Sequence, residues 1–509
     1  MRLEELLAQP FGTIPELIRL HAASAPRHPA LIQDERSVDF RTLDALMDRI
    51  AAAFQRDGLE PNRAIAICAA NSIEYAAIFL GALRAGLAVA PLAPSSTPEA
   101  IVSMIADAEA SHLFVDEAAA RALEPVRARI AARMLPIGNP GPWIGDARAP
   151  RAVRAKPEDP FNIIYSSGTT GVPKGIVQPN AMRWAHVVRS AVYGYGPAAV
   201  TLISTPLYSN TTLVSFFPTI ALGGTVVLMA KFDAAGYLAL AERHRVTHTM
   251  LVPVQYQRIM ALPGFGRFDL SAFRAKFSTS APFSAALKAD VIARWPGGLY
   301  EYYGMTEGGG TCVLIAHEFP GKLDTVGRAA PGVDIRLIGE DDREVAAGEV
   351  GEVVGHSPAM MTGYHKRRDM TSKAEWFDAL GRRFIRTGDV GRFDEDGFLV
   401  LLDRKKDLVI SGGFNVYPSD LEAVLARHPG VADAAVVGVP SKKWGETPVA
   451  FVVARTHADL DPERLREWAN ARLGATQRIA AVELIEALPR SAIGKVLKRE
   501  LRALHRPRE

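Results

Sequence analysis

The first stretch whose residue types could do chemistry is a loop that reads YSSGTTGVPKG over 165–175 and follows the apolar run 161–165. Its glycines let backbone N–H groups face a ligand without a Cβ in the way. Serine and threonine hydroxyls add donors, and Lys174 adds a mobile positive charge. Such a loop suits a polyphosphate. It is not a Walker A loop, because Gly175-Ile176 stands where that motif has Gly-Lys followed by Ser or Thr.

Four later stretches also combine residue types that can do chemistry. They read YEYYGMTE over 300–307, RTGD over 386–389, LDRKKD over 402–407 and PRSAIGK over 489–495. Taken singly, each has an ordinary interpretation: a core strand with a polar end, a turn, a solvated linker and a solvated terminal lysine. Because all of them occur in one chain, a single function that explains them together is more plausible than four unrelated interpretations.

In this order and spacing, the five stretches resemble the adenylate-forming (acyl-activating) enzymes: acyl-CoA synthetases, peptide-synthetase adenylation domains and luciferases. The resemblance covers essentially the whole chain, and Trp444-Gly445-Glu446 resembles the acyl-CoA ligase branch. It implies that a free carboxylic acid is activated with ATP and then transferred to a thiol. It also implies one active site that serves both reactions through rotation of a small domain.

The resemblance assigns roles to individual residues. Three catalytic roles are implied: Lys495 bridges the substrate carboxylate and the nucleotide, Thr306 contacts the adenylate phosphate, and Glu307 holds Mg²⁺. A hard cation prefers carboxylate oxygen, so the last role is chemically sound. In the nucleotide site, Tyr303 is expected to stack on adenine and Asp389 to accept the ribose hydroxyls. The other implied nucleotide contacts are Ser166, Ser167, Gly168, Thr169, Thr170, Gly171, Lys174, Ala281 and Arg404.

The acyl pocket is implied at Tyr208, Ser209, Gly308 and Gly309. The family often has a histidine near Ser209, so a gating role at this position is not carried over. The lack of side-chain bulk at 308–310 predicts a roomy or slender acyl slot, with a flexible turn as the alternative. Amino-acid-activating members of the family place an aspartate in this neighbourhood to hold the substrate ammonium, and none is evident near Tyr208. The resemblance therefore disfavours amino acids as substrates.

The charged run at 402–407 is predicted to be the boundary between two domains. By resemblance, Lys406 is the hinge, and Gly412 and Gly413 lie beside the tunnel for the pantetheine arm of CoA. The sequence therefore predicts an N-terminal ATP- and acyl-binding domain over 1–404 and a mobile C-terminal domain over 405–509. Short alternating segments and turn dipeptides predict an antiparallel β subdomain at about 326–402.

Strand and helix patterns alternate through residues 1–160 and again after the phosphate loop. Such alternation predicts an α/β fold with parallel sheets and helices on their faces, followed by a small α+β domain. The uncharged segment 211–230 is interrupted by Pro218 and Gly223-Gly224. This predicts a buried helix that ends near Leu222 and a strand from Thr225, rather than a membrane span.

Composition narrows the class of protein further. The chain has 509 residues, 48% apolar and 23% charged, with a formal net charge of +3. A length above that of one core predicts at least two domains. The small net charge and the absence of a long basic run disfavour nucleic acid as a partner. Two cysteines, Cys68 and Cys312, form no metal-binding spacing, which fits a reducing cytoplasm.

The sequence thus predicts an ATP- and Mg²⁺-dependent acyl-CoA synthetase that acts on a medium- or long-chain fatty acid, with CoA as second substrate. Aryl acids and a carrier-protein thiol remain open as the alternative acid and acceptor. A non-catalytic nucleotide-binding protein on the same scaffold is a third, disfavoured interpretation, because Lys495, Glu307, Asp389 and Arg404 are all present. A homodimer is an expectation from the resemblance alone.

Overall fold

A computed structural model describes residues 2–146, 149–166, 174–411, 414–441, 444–456, 458–474, 477–491 and 494–505, with backbone only at Ser166, Phe414 and Asn415. Several predicted site residues lie outside this part of the chain: Ser167, Gly168, Thr169, Thr170, Gly171, Gly412 and Gly413. The predicted α/β fold class is confirmed.

The strands of the described residues are, in chain order, β1 Pro29–Gln33, β2 Arg36–Asp39, β3 Ala64–Cys68, β4 Ala88–Pro91, β5 His112–Val115, β6 Arg133–Pro136, β7 Pro160–Ser166, β8 Lys174–Pro179, β9 Val200–Ile203, β10 Thr225–Leu228, β11 His248–Leu251, β12 Ala275–Ser278, β13 Gly298–Gly304, β14 Thr311–Ile315, β15 Arg328–Ala329, β16 Asp334–Ile338, β17 Gly351–His356, β18 Gly363–Tyr364, β19 Glu375–Phe377, β20 Arg383–Phe393, β21 Leu399–Arg404, β22 Val409–Ser411, β23 Phe414–Val416, β24 Val431–Ser441, β25 Gly445–Ala454 and β26 Ala481–Leu484.

The α-helices of the described residues are α1 Leu3–Leu7, α2 Ile14–Ser24, α3 Phe40–Arg56, α4 Ile73–Arg84, α5 Pro98–Asp107, α6 Glu117–Leu123, α7 Gly141–Ile144, α8 Asn180–Ser190, α9 Asn210–Ala221, α10 Ala234–Arg243, α11 Pro253–Met260, α12 Ala285–Arg294, α13 Arg368–Lys373, α14 Pro418–Leu425, α15 Pro462–Asn470 and α16 Lys498–Leu504.

The chain divides into two compact units. The first comprises Met1–Leu323, Ala329–Asp334 and Gly355–Ile385, and the second comprises Asp324–Arg328, Ile335–Val354 and Arg386–Glu509. The predicted hinge at Lys406 stays a prediction, because compactness alone does not locate an axis of rotation.

A nine-stranded sheet in the first unit has the order β15-β14-β13-β12-β11-β9-β10-β1-β2. Strands β9, β11, β12 and β13 pair in parallel. The carboxyl ends of parallel strands meet at one edge of a sheet, which is where such sheets bind ligands. The segments that follow these strands, including 208–210, 279–282 and 305–307, therefore gather at this edge.

A seven-stranded sheet, with order β18-β8-β7-β4-β3-β5-β6, carries the strands on either side of the phosphate loop. Strands β7 and β8 are antiparallel, and Ser166 pairs with Lys174 in their register. The predicted loop thus leaves and re-enters the same sheet between neighbouring strands. Strand β18 then pairs with β8, bringing Tyr364 opposite Ile176.

One apolar core joins the two sheets of the first unit. It includes side chains of β3 and β9 and of the helices α2, α3, α4 and α9, among them Ile67, Ile203 and Phe217, which are at most 1% exposed. Helix α9 and strand β10 confirm the predicted helix and strand in 211–230. Within the described residues, no helix is both long and apolar enough to cross a membrane.

In the second unit, strands β20 and β21 are antiparallel, as are β24 and β25, while β26 adds to β25 in parallel. Helices α14 and α15 supply apolar side chains, such as Leu421 and Leu465, to a core with this last sheet. The short alternating strands predicted for about 326–402 are present as β16 to β21, and their boundary as a subdomain stays a prediction.

In the sequence, Asn71 stands three residues before Glu74, and Ser419 stands three residues before Glu422. This spacing predicts a helix start at Asn71 and a capping box at Ser419, and both predictions are wrong. Helix α4 is capped by Ser72, whose side chain accepts from Tyr75 N–H, rather than by Asn71. Helix α14 begins at Pro418 without the capping box predicted for Ser419 and Glu422. There, Asp403 accepts from Ser419 N–H at 3.0 Å, and Glu422 accepts from Val436 N–H at 2.8 Å. At the start of α14, contacts with residues distant in sequence thus take the place of the predicted cap.

Candidate active site

The Thr306-Glu307 turn follows β13 at the carboxyl edge of the nine-stranded sheet. Gln178 donates from Nε2 to the Thr306 carbonyl at 2.6 Å, and Met361 N–H donates to the Glu307 carbonyl at 2.7 Å. The Glu307 side chain is half-buried, and its Oε1 accepts from the Tyr364 hydroxyl at 2.8 Å. Backbone and side chain of this predicted catalytic turn are therefore both held, by β8, by β18 and by the segment that precedes β18.

Tyr364 connects Glu307 to the end of the phosphate loop. The Lys174 Nζ lies 5.7 Å from the centre of the Tyr364 ring, within the range of a cation–π contact. Burial and the Glu307 carboxylate raise the pKa of Tyr364, so its hydroxyl remains a donor. No local pattern in the sequence marks Tyr364, because it reaches these groups only through the pairing of β18 with β8.

The predicted acyl and adenine residues lie at the same edge. Ser209 is the N-cap of α9 but makes no side-chain capping bond, and Tyr208 precedes it. Thr211 Oγ1 contacts Ser280 Oγ at 2.5 Å, which ties α9 to the loop that holds Ala281. Tyr303, near the end of β13, is 9% exposed. The roles of these residues in acyl or adenine binding stay predictions.

The structure explains why residues 308 and 309 are glycines without the acyl slot that was predicted for them. Both have left-handed backbone, with φ of +75° and +85°. A Cβ at Gly308 would lie 2.0 Å from the Ala359 carbonyl oxygen, and one at Gly309 would lie 2.5 Å from the Gly355 carbonyl oxygen. Close approach of the segment 355–360 thus occupies the space that the missing side chains leave.

We expect Gly308→Ala to destabilise the protein more than Gly332→Ala. Both positions have φ of +75°, but nothing lies within 4 Å of a Cβ at Gly332. Left-handed backbone costs an alanine about 1–2 kcal/mol at either site, and the collision at Gly308 adds about 1–3 kcal/mol. The unfolding midpoints of both variants in urea check this, and equal shifts would contradict the argument from close approach.

In the second unit, the structure brings together residues predicted for the ribose, the nucleotide and catalysis. Asp389 and Arg404 face each other across β20 and β21, and Arg404 Nε lies 3.0 Å from Asp389 Oδ1. Asp389 N–H also donates to the Thr387 hydroxyl at 3.0 Å. The charges of Asp389, Arg404 and Lys406 all act on Lys495. Four predicted site residues thus form one charged cluster.

Lys495 is presented by a short turn. Ser491 N–H donates to the Lys495 carbonyl at 2.8 Å, and Gly494, with φ of +79°, supplies the left-handed residue that precedes it. The protein that surrounds its ammonium group partly desolvates it and lowers the pKa of Lys495 to about 8, and the cations Arg404 and Lys406 act in the same direction. Its ammonium is therefore protonated at neutral pH and titrates just above it.

Two protein-family models match this chain. The model described as AMP-binding enzyme matches residues 18–365, and the model described as AMP-binding enzyme C-terminal domain matches residues 420–495. The chain belongs to the AMP-binding enzyme family. This confirms the resemblance to adenylate-forming enzymes, and the relatives below confirm the acyl-CoA synthetase branch.

Two curated relatives match this chain over nearly their full length. An indoleacetate–CoA ligase from Aromatoleum aromaticum is 32% identical over 96% of this chain and 98% of its own. The fatty acid–[acyl-carrier-protein] ligase ScoC from Streptomyces coeruleorubidus is 31% identical over 96% of both chains. Among solved structures, ATP-bound MatB from Rhodopseudomonas palustris is 28% identical with a TM-score of 0.88, covering 97% of this chain and 99% of its own.

Proposed function

We propose that this AMP-binding enzyme is an acyl-CoA synthetase for a medium- or long-chain fatty acid. It forms an acyl-adenylate with release of pyrophosphate and then transfers the acyl group to the CoA thiol. The observation that most supports adenylate formation is the connection of Glu307, Tyr364 and Lys174 at the mouth of the predicted phosphate loop. The predicted acyl segments 208–213 and 300–310 contain no lysine or arginine, which favours an aliphatic acid over an acid with a second carboxylate.

Adenylate formation brings two anions together, the substrate carboxylate and the triphosphate. The attacking carboxylate oxygen bonds to the α-phosphorus, and the bond from phosphorus to the pyrophosphate oxygen breaks. The site has to supply positive charge and donors where negative charge builds up. In our proposal, Lys495 lies between carboxylate and α-phosphate, and Lys174 and the loop donors hold the departing phosphates. The step requires no general base.

The residues present fit a magnesium ion that is shared with ATP. Within the described chain, no group of three or more His, Cys, Asp or Glu side chains could hold a metal by itself. Magnesium at nucleotide sites is commonly bound by one or two carboxylates together with substrate phosphates. Glu307, aimed by Tyr364, would be that carboxylate. The ion would neutralise phosphate charge.

Tyr364→Phe is expected to raise the Mg²⁺ concentration for half-maximal pyrophosphate release by about 10- to 100-fold, the usual effect of removing a hydrogen bond that orients a metal ligand. The ring, and with it the contact to Lys174, is retained. Titration of Mg²⁺ at saturating ATP measures the change. Unaltered Mg²⁺ dependence would show that Tyr364 does not position a metal ligand.

Thioester formation needs a different arrangement. The CoA thiolate attacks the acyl carbonyl, and AMP leaves with the electron pair of the broken C–O bond. We propose that rotation about Lys406 withdraws Lys495 after adenylate formation and brings Gly412 and Gly413 to the entering pantetheine arm. A single site would then serve both reactions in turn.

The pKa of Lys495 predicts a pH dependence. If adenylate formation needs the ammonium, kcat/KM for ATP should be nearly level from pH 6 to 7 and fall as pH rises through about 8, because the protonated fraction of the free enzyme declines there. Bound polyphosphate raises this pKa, so kcat should fall only at higher pH. Initial rates of pyrophosphate release from pH 6 to 10 test this, and a kcat/KM level to pH 10 would contradict it.

The deciding experiment is pyrophosphate release with ATP and Mg²⁺ across aliphatic, aryl and dicarboxylic acids, with and without CoA. CoA-dependent turnover of fatty acids supports the proposal. Preference for aryl acids, which the indoleacetate–CoA ligase relative favours as a second candidate, would replace the aliphatic substrate. Turnover that ignores CoA but loads an acyl carrier protein would favour the acceptor used by ScoC. No turnover and no ATP binding would overturn the proposal.

A further inference from the structure

A buried cation outside the predicted machinery lies behind the active-site turn. Arg183, on α8, is 1% exposed and contacts three amide side chains, Asn162, Gln178 and Asn210. We call these four residues the Arg183 cluster. Arg183 donates to Asn162 Oδ1 from Nε at 3.3 Å and from Nη2 at 3.2 Å, to Asn210 Oδ1 at 2.9 Å, and to Gln178 Oε1.

The stability of the fold alone does not account for the Arg183 cluster, because burying its cation is unfavourable for folding. Among the described residues, none of the hydrogen-bond partners of Arg183 is a carboxylate, and burial lowers its pKa to about 9 without making it neutral at physiological pH. Burial of an ion without a counter-charge is strongly unfavourable unless hydrogen bonds offset it. An apolar residue would fill this position at less cost.

The guanidinium fixes the orientation of Gln178. It has only donors, so the amide must turn its oxygen toward Arg183. The amide nitrogen then faces the other way, where Nε2 donates to the Thr306 carbonyl at 2.6 Å and to Asn210 Oδ1 at 3.3 Å. Gln178 thus links Arg183, through one hydrogen bond on each side of its amide, to the turn that contains Thr306 and Glu307.

The segments that meet at the Arg183 cluster are those that carry the predicted site. Asn162 lies on β7, which leads into the phosphate loop, and Gln178 lies on β8, which leaves it. Asn210 is the first residue of α9, directly after Tyr208 and Ser209. A single cation therefore links the phosphate strands, the predicted acyl segment and the Thr306 turn.

We infer that Gln178, oriented by Arg183, is a positioning residue for adenylate formation that holds the Thr306-Glu307 turn in register with the phosphate loop. The inference rests on the proposed function. Neither residue is placed against a reacting atom. Displacement of a catalytic group by about 1 Å can lower a rate by about 100-fold, so loss of this link should act on turnover more than on substrate binding.

Gln178→Glu tests the link with little other change. The new carboxylate still accepts from Arg183 and gives it a counter-charge, but it cannot donate to the Thr306 carbonyl when ionised. Asn162→Asp is the matched control, because it adds the same charge to the same guanidinium while Asn162 Nδ2 has no partner to lose. Both variants keep the size of the original side chain.

We expect Gln178→Glu to lower kcat for pyrophosphate release by about 10- to 100-fold, with KM for ATP and for the acid changed less than about threefold. Its thermal midpoint should match that of Asn162→Asp, whose kcat should stay near wild type. Wild-type kcat in Gln178→Glu, or an equal fall in both variants, would overturn the inference.

Should Gln178→Glu not accumulate as folded protein, Arg183→Lys is judged by the same criteria, since a lysine keeps the charge but loses the fork that reaches several amides at once. Failure of the proposed function is distinguished from failure of this inference by the wild-type protein, which would then release no pyrophosphate with any acid. In that case the inference fails as well.

Discussion

Lys495→Ala is expected to lower adenylate formation by about 100- to 1,000-fold, the effect of removing one donor aimed at charge that develops in a transition state. The same variant should convert supplied acyl-adenylate and CoA to thioester at close to the wild-type rate. The asymmetry follows from the proposed rotation, in which Lys495 is present for the first half-reaction and absent from the second. Pyrophosphate release and thioester formation are measured separately.

Arg472→Ala is a suitable control for the loss of a cation in the second unit. Arg472 lies 4.0 Å from the centre of the Trp468 ring and is not a member of the charged cluster of Asp389, Arg404, Lys406 and Lys495. Both half-reactions should survive this change. Equal loss of the two half-reactions in Lys495→Ala would count against rotation and would place Lys495 in a single, fixed site.

The parts of the fold that the sequence predicts well are those determined within one element. The glycine pair at 223–224 divides the run at 211–230, and α9 and β10 lie on either side of it, whereas Pro218 lies inside α9. Alternation of strands and helices likewise predicts parallel sheets, because a strand that returns to its neighbour in parallel requires a crossover. From that rule alone, the segments after β9, β12 and β13 are expected at one edge.

Contacts between distant segments are what sequence patterns miss. Asn71 and Ser72 are both good helix caps, and the choice is decided elsewhere: the Asn71 amide donates to the Thr205 and Met229 carbonyls and accepts from Leu207 N–H. Only Ser72 is left to cap α4.

The same limit applies to the candidate site. The motif residues are visible in the sequence because their types and spacing are unusual. Tyr364 and Gln178, by contrast, are ordinary residues that matter only because β18, β8 and β13 bring them to Glu307 and Thr306. For Gly308, local composition suggests missing bulk, whereas the structure shows that the backbone at Ala359 fills the space. Residues that support a site are therefore harder to predict than residues that form it.

Glu307→Gln should lower pyrophosphate release at saturating ATP by about 100- to 1,000-fold, because the amide removes a charge that would hold Mg²⁺ against the triphosphate. The substitution keeps an oxygen that can accept from the Tyr364 hydroxyl, so the turn and its neighbours should remain in place. Rates measured over a wide range of Mg²⁺ distinguish weaker metal binding, which excess Mg²⁺ restores, from loss of a group that acts in the transition state.

The comparison of Glu307→Gln with Tyr364→Phe separates the two parts of this site. If Glu307 holds the metal and Tyr364 only aims it, high Mg²⁺ restores Tyr364→Phe fully and Glu307→Gln at most in part. Glu318→Gln, at an exposed position beyond β14, controls for the loss of one negative charge in the first unit and should leave the Mg²⁺ titration unchanged. Full activity of Glu307→Gln at ordinary Mg²⁺ would remove Glu307 from the metal site and leave its bond to Tyr364 as a structural contact.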